Sequence, residues 1–299
     1  LIDRGHGIAF LSILILTAKT AMKKITAAFD GLKYNKATAA YAQAIAAADE
    51  ALLSGVFLED FLYHSFNFLD MVGETAIPGG NLKQLRDADK QTRANARSIF
   101  KESCITQNIS YTIHEDTTFA LQDLLKESIY TDLLVMGMDE TLTHYPETRP
   151  TSFIRNTLAG IQCPVLLVPL SYTPIQKVIL LYDGSLSSVY AIRMFHHMLR
   201  WLGSISTCVL YVSKKAEQAL PEDTLMREFI ESHYPNALYL TLQGDVEEMI
   251  LNYLQKEKPG TLVVLGAYQR SSVSRLFRPS LADRLMEVLD LPLFVAHQK

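Results

Sequence analysis

The chain writes one strand-helix pattern twice. Ile25 to Asp30 is an apolar run closed by Phe29-Asp30-Gly31, and Val178 to Asp183 is another, closed by Tyr182-Asp183-Gly184. A stretch of helical spacing follows each, Asn35 to Ala48 in one case and Ser187 to Leu202 in the other. Further along, residues recur at a constant offset of 129 with no gap: Asp116 with Asp245, Leu133 with Leu262, Val135 with Val264, Gly137 with Gly266, Arg149 with Arg278, Pro150 with Pro279 and Arg155 with Arg284. Such a duplication restricts the fold to two copies of one unit. At 299 residues, each copy is long enough to bury its own core.

Each copy reads as strand and helix in alternation, closed by a fifth strand. In the second half the strands are expected over Val178 to Asp183, Thr207 to Ser213, Ala237 to Gln243, Thr261 to Leu265 and Leu293 to Ala296. The helices are expected near Ser187 to Leu202, Asp223 to His233, Asp245 to Glu257 and Ser280 to Leu289. Runs such as Leu133-Leu134-Val135-Met136 and Leu262-Val263-Val264-Leu265 are continuous rather than alternating, as in strands covered on both faces by helices. The expected class is therefore α/β, with two tandem open doubly wound parallel-sheet domains of five strands each. Their bounds are 22–170 and 177–299, joined by the short linker Ser171-Tyr172-Thr173-Pro174.

The halves differ in length. Asp30 to Gly137 spans 107 residues and Asp183 to Gly266 only 83, and most of the excess is placed around Glu59 to Asn81. There Phe61, Tyr63, Phe66 and Phe68 precede Ile77-Pro78-Gly79-Gly80, which reads as a surface loop with an aromatic plug, or as a lid or partner-binding flap. At the other end, Arg4 and the apolar run Ile8 to Leu16 faintly imitate an export signal, but nine residues are too few for a membrane-spanning helix. Residues 1–21 read better as an extension outside the fold, ahead of Met22-Lys23-Lys24.

Composition narrows the function. With 48% hydrophobic and 20% charged residues and a mean hydropathy of +0.09, the chain is an ordinary globular protein and not a multispan membrane protein. A net charge of −4 gives no footprint for nucleic acid. Cys104, Cys163 and Cys208 lie far apart with no metal spacing, which suits a reducing cytoplasm and predicts no metal site. His196 and His197 are adjacent on a helix and point about 100° apart, so they do not form a chelating pair. No residue set assigns itself the roles of base, nucleophile and oxyanion donor, so no enzymatic activity is expected.

These parts together resemble a tandem universal stress protein, from Met22 onward. The residues that carry the resemblance are the two Asp-Gly turns, Gly244-Asp245-Val246-Glu247-Glu248-Met249-Ile250, Val264-Leu265-Gly266, the run from Arg270 to Arg284, and Pro292-Leu293-Phe294-Val295. The resemblance implies an adenine nucleotide alpha hydrolase-like fold and a cytoplasmic, non-enzymatic role in stress response. It also implies that the two halves pair within the chain through their last strands, Val165 to Val168 and Leu293 to Ala296, as a pseudo-twofold pair. Such strands left bare would invite aggregation. Unknown protein partners and a possible homo-oligomer go with it; a nucleic acid or membrane partner does not.

Family members that bind ATP share a G-x-x-G-x9-G-[S/T] pattern after the fourth strand. Its glycines admit phosphates to backbone N–H groups, and its final hydroxyl opens a helix. Here the spacing survives without the glycines: Gly266, Gln269, Pro279 and Ser280 in the second half, Gly137, Glu140, Pro150 and Thr151 in the first. Proline suits the first turn of a helix but removes a donor. Glu140, with Asp139 and Glu147, would repel a triphosphate in the first half. The second loop still offers Arg270, Arg275 and Arg278 with several serines. The candidate nucleotide-binding residues are thus Asp183, Gly184, Gly266, Arg270 and Ser280 in the second half and Asp30, Gly137 and Thr151 in the first. Asp30 and Asp183 stand at strand ends where open α/β sheets bind ligands, or else cap their own turns. No cofactor is expected for certain; the second half alone leaves ATP or AMP open, and binding weaker than about 100 μM is expected from its degenerate loop. The rival readings are an ATP/AMP-binding regulatory switch and a site for a non-nucleotide small ligand.

Overall fold

The computed structural model describes residues 24–59, 79–116, 119–143, 145–215, 219–266 and 280–297. The extension 1–21, the aromatic run of the insertion and most of the second loop, Arg270 and Gln269 included, lie outside the described residues.

Within the first half the order is β1 (Lys24–Asp30), α1 (Lys36–Asp49), β2 (Leu52–Leu58), α2 (Gly79–Thr106), β3 (Tyr111–Asp116), α3 (Ala120–Glu127), β4 (Leu133–Gly137), α4 (Ser152–Gly160) and β5 (Val165–Val168). The second half repeats it with β6 (Lys177–Tyr182), α5 (Leu186–Met198), β7 (Ser206–Ser213), α6 (Asp223–His233), β8 (Leu238–Gln243), α7 (Val246–Leu254), β9 (Thr261–Gly266), α8 (Leu281–Val288) and β10 (Leu293–Ala296). All ten strands form one sheet in the order β3-β2-β1-β4-β5-β10-β9-β6-β7-β8. Pairing is parallel inside each half and antiparallel only where β10 meets β5, with Phe294 opposite Leu166. That single antiparallel ladder relates the halves as a pseudo-twofold pair and leaves neither closing strand as an edge.

Apolar continuity explains the layering. Ile25, Ala27 and Phe29 face one core cluster and Ala28 the other, so β1 buries both faces, and the same holds for β9 with Leu262 and Val264 against Val263 and Leu265. Helix starts follow local capping. The Asn35 carboxamide accepts from the Ala37 and Thr38 N–H groups, Ser185 accepts from Ser188 N–H, and Asp245 from Glu248 N–H.

Three expectations need correction. The expected helix Ser187 to Leu202 breaks at Leu199 and continues only as a 3₁₀ turn, Arg200–Ser204. Gly79 and Gly80 do not close a loop but open α2, which has 28 residues where its counterpart α6 has 11. Much of the extra length of the first half is therefore helix. Pro150 does not stand in the first helical turn: Thr151 is the N-cap and α4 begins at Ser152, so the proline precedes the cap.

Candidate functional site

In each half the first and fourth strands lie side by side, and their carboxyl ends open onto the switch point of the sheet. Both candidate aspartates stand there, in different surroundings. Asp30 is 1% exposed, and its Oδ1 accepts from Leu32 N–H at 2.8 Å and from Lys33 N–H. Asp183 is exposed, and its Oδ1 accepts from Ser185 N–H at 2.9 Å. Partial burial alone would raise the Asp183 carboxyl, but the Ser185 and Ser188 hydroxyls and the Ser185 N–H outweigh it and hold it below its ordinary value.

The first crevice is filled by its own loop. Glu140 is buried, with its Oε1 3.1 Å from where a β-carbon on Gly137 would sit, beside Asn35 Nδ2 and Thr38 Oγ1. Burial first, and then the charge of Asp30, hold the Glu140 carboxyl well above the usual carboxylate range, against the Asp30 backbone hydrogen bond and Lys33. Thr151 seals the plug. Its hydroxyl donates to the Glu140 carbonyl and accepts from Ile154 N–H, so it caps α4 and faces inward. Of the acidic residues expected to repel a triphosphate, Asp139 is bound by both arms of the Arg149 fork, and Glu147 accepts from Ser152 N–H at 2.7 Å. Both charges are engaged by neighbours, and it is Glu140 that occupies the space.

In the second half the described residues form a cavity at the matching strand ends. A cavity of about 450 Å³ lies at the ends of β6, β7 and β9, in the size range of small-molecule sites. Leu181, Val212, Val246, Ile250, Leu265 and Leu281 supply its apolar wall, and Tyr182, Asp183, Ser188, Tyr211, Gly266, Lys214 and Lys215 complete it. The cavity thus brings together Asp183 and Gly266. Gly184 stands just outside, at φ +79°, where a β-carbon would lie 2.5 Å from Pro221, so its turn requires glycine with or without a ligand. Ser280 adjoins the wall through Leu281. Its hydroxyl accepts from Asp283 N–H while Asp283 accepts from Ser280 N–H at 2.8 Å, a closed capping box that sets a carboxylate at the N-terminus of α8.

Sequence reasoning missed Lys214, Lys215, Ser188 and Tyr211. A pair of lysines directly after a buried strand is the one signal that could have pointed there. Among the described residues no group of three or more His, Cys, Asp or Glu side chains could hold a metal ion. The histidine pair finds a different neighbour, since the His196 ring lies 4.3 Å from that of His233 on α6. The three cysteines are free and buried. No described helix is long and apolar enough to cross a membrane.

Neither protein-family models nor curated proteins match the chain. Solved structures do. A universal stress protein from Archaeoglobus fulgidus DSM 4304 superposes with a TM-score of 0.66 at 12% identity, over 93% of this chain and 97% of that one. The chain has the tandem universal stress protein fold. A functionally unknown protein from Pseudomonas aeruginosa PAO1 shares it with a TM-score of 0.60 at 13% identity, over 94% of each chain. At such identities the likeness is one of fold, and within the tandem universal stress protein fold the contents of the two crevices decide what each half can do.

Proposed function

We propose that the chain is a non-enzymatic cytoplasmic stress-response protein in which one half has closed its ligand site and the other has kept it. The observation that carries this reading is the difference among the described residues: Glu140 is buried against Gly137 beside Asp30, whereas a cavity of about 450 Å³ lies beside Asp183. The fold shared with a universal stress protein supports the role in stress response. The second half would then report ligand state to partners while the first serves as a rigid pairing unit. Tight ATP binding is not part of the reading, because the Asp283 carboxylate already takes the Ser280 amide that a phosphate would need and sets a negative charge at the start of α8.

Isothermal titration with ATP, together with mass spectrometry of small molecules released from the denatured protein, tests it. The expected result is ATP binding weaker than about 100 μM, less than roughly 5.5 kcal/mol. Submicromolar ATP binding, or copurified nucleotide at one per chain, would establish the ATP/AMP switch instead.

A further inference from the structure

Three polar side chains around the second cavity are already hydrogen-bonded within the protein. Tyr182 donates its hydroxyl to the Pro221 carbonyl at 2.7 Å, Ser188 donates to the Ser185 carbonyl at 2.9 Å, and Asp183 is held by Ser185. None of the three is a cation that could hold an acidic head group. Lys214 and Lys215 differ. Both are exposed, both line the cavity, and no described carboxylate forms an ion pair with either. Ser213 fixes the turn that presents them, accepting from Lys215 N–H at 3.0 Å and donating to the Lys215 carbonyl at 2.8 Å. The wall behind them is aliphatic, with Leu181, Val212, Ile250 and Leu265 all buried.

We infer that this cavity takes an amphipathic anion, an apolar body lying against Ile250, Val212 and Leu265 with a single acidic head group at Lys214 and Lys215. The inference rests on the reading of the second half as the ligand-binding half and adds the chemical class of the ligand. Apolar burial supplies the free energy of binding, and the lysine pair orients the head group toward the end of β7, away from the Asp283 carboxylate that closes the start of α8. A nucleoside triphosphate fits this arrangement less well, because most of the wall that its base would meet is aliphatic.

Displacement of 8-anilinonaphthalene-1-sulfonate from the full chain tests the proposal, with decanoate, decan-1-ol and ATP as competitors. Decanoate should displace the dye at least about tenfold more strongly than decan-1-ol, and ATP should compete least. The double variant Lys214→Ala/Lys215→Ala should bring decanoate and decan-1-ol to the same level, while Ile250→Trp, which fills the cavity, should abolish displacement by both. Urea midpoints and circular dichroism confirm that each variant is folded. Equal competition by acid and alcohol in the unmodified protein would overturn the head-group assignment alone. Competition by ATP that exceeds decanoate would overturn the ligand class. If no probe binds in an Ile250-dependent way, the reading of the second half as a ligand site fails with it.

Discussion

A β-carbon on Gly266 would lie 2.4 Å from the carbonyl oxygen of Ser187, backbone that opens α5 and cannot move aside. The equivalent Gly137 faces only side-chain ends, with Asn35 Nδ2 at 2.8 Å and Glu140 Oε1 at 3.1 Å. Overpacking is costly where rigid backbone is the obstacle and modest where a side chain can turn. Gly266→Ala should therefore lower stability by about 2 to 3 kcal/mol and Gly137→Ala by about 1 kcal/mol or less. Urea unfolding of the two variants checks the order, and equal losses would contradict the difference in packing. The motif glycine of the second half thus has a structural reason to be there whether or not a phosphate ever approaches it.

Glu140 predicts a pH dependence of its own. Its carboxyl is held above the usual range in the folded chain, so its share of stability is complete below the ordinary glutamate value of about 4.3 and is lost as pH rises through its folded value. Glu140→Gln keeps the shape and stays neutral. The variant should lose less stability than the unmodified chain between pH 5 and pH 8, read as the fall in urea midpoint across that window. Parallel curves would mean that the buried carboxyl titrates normally.

Arg149 ties the first loop to the second half. Besides its fork on Asp139, its guanidinium donates to Asp290 Oδ1 at 2.6 Å and to the Leu289 carbonyl at 3.4 Å. The Arg149 side chain is 18% exposed, whereas that of Asp290 is 80% exposed. Arg149→Ala should cost about 2 kcal/mol, because it leaves the Asp139 charge without its bidentate partner. Asp290→Ala should cost about 0.5 kcal/mol or less. Arg149→Lys should recover at most half, since one ammonium cannot span both oxygens. A denaturation series on the three variants tests the ranking.

His196 predicts sensitivity in the opposite direction. Partial burial, and then the charges of His233, His197 and Arg200, lower it to about 4. A histidine held neutral in the fold contributes stability above the unfolded value of about 6.5, and that contribution is lost as pH falls through about 4. His196→Phe keeps a ring against His233 and Tyr234 but cannot take a proton. It should unfold less readily than the unmodified chain as pH falls from 6.5 to 4, measured by tryptophan fluorescence. An unchanged acid midpoint would show that the ring is solvated.

The sequence by itself determined the repeat, the layer pattern and the strand positions. Continuous apolar runs such as Leu262 to Leu265 fix burial on both faces, and Asn35, Ser185 and Asp245 fix helix starts through hydrogen bonds that span only two or three residues. Interactions of that range are written where they act. It also marked the positions of both candidate sites, because each lies at a strand end that the repeat itself locates.

Only the tertiary structure decided what surrounds each strand-end site. Glu140 reads as a charge on a loop until β1 and β4 stand side by side and bring it against Asp30, 110 positions earlier in the chain. Lys214 and Lys215 acquire meaning only when β7 lies next to β6, which sets them around the same cavity as Leu265 and Leu281. Arg149 could not be matched with Asp290 until β5 and β10 closed the sheet between the halves. Local pattern carries no record of such meetings, because they depend on chain closure over fifty to about 140 residues.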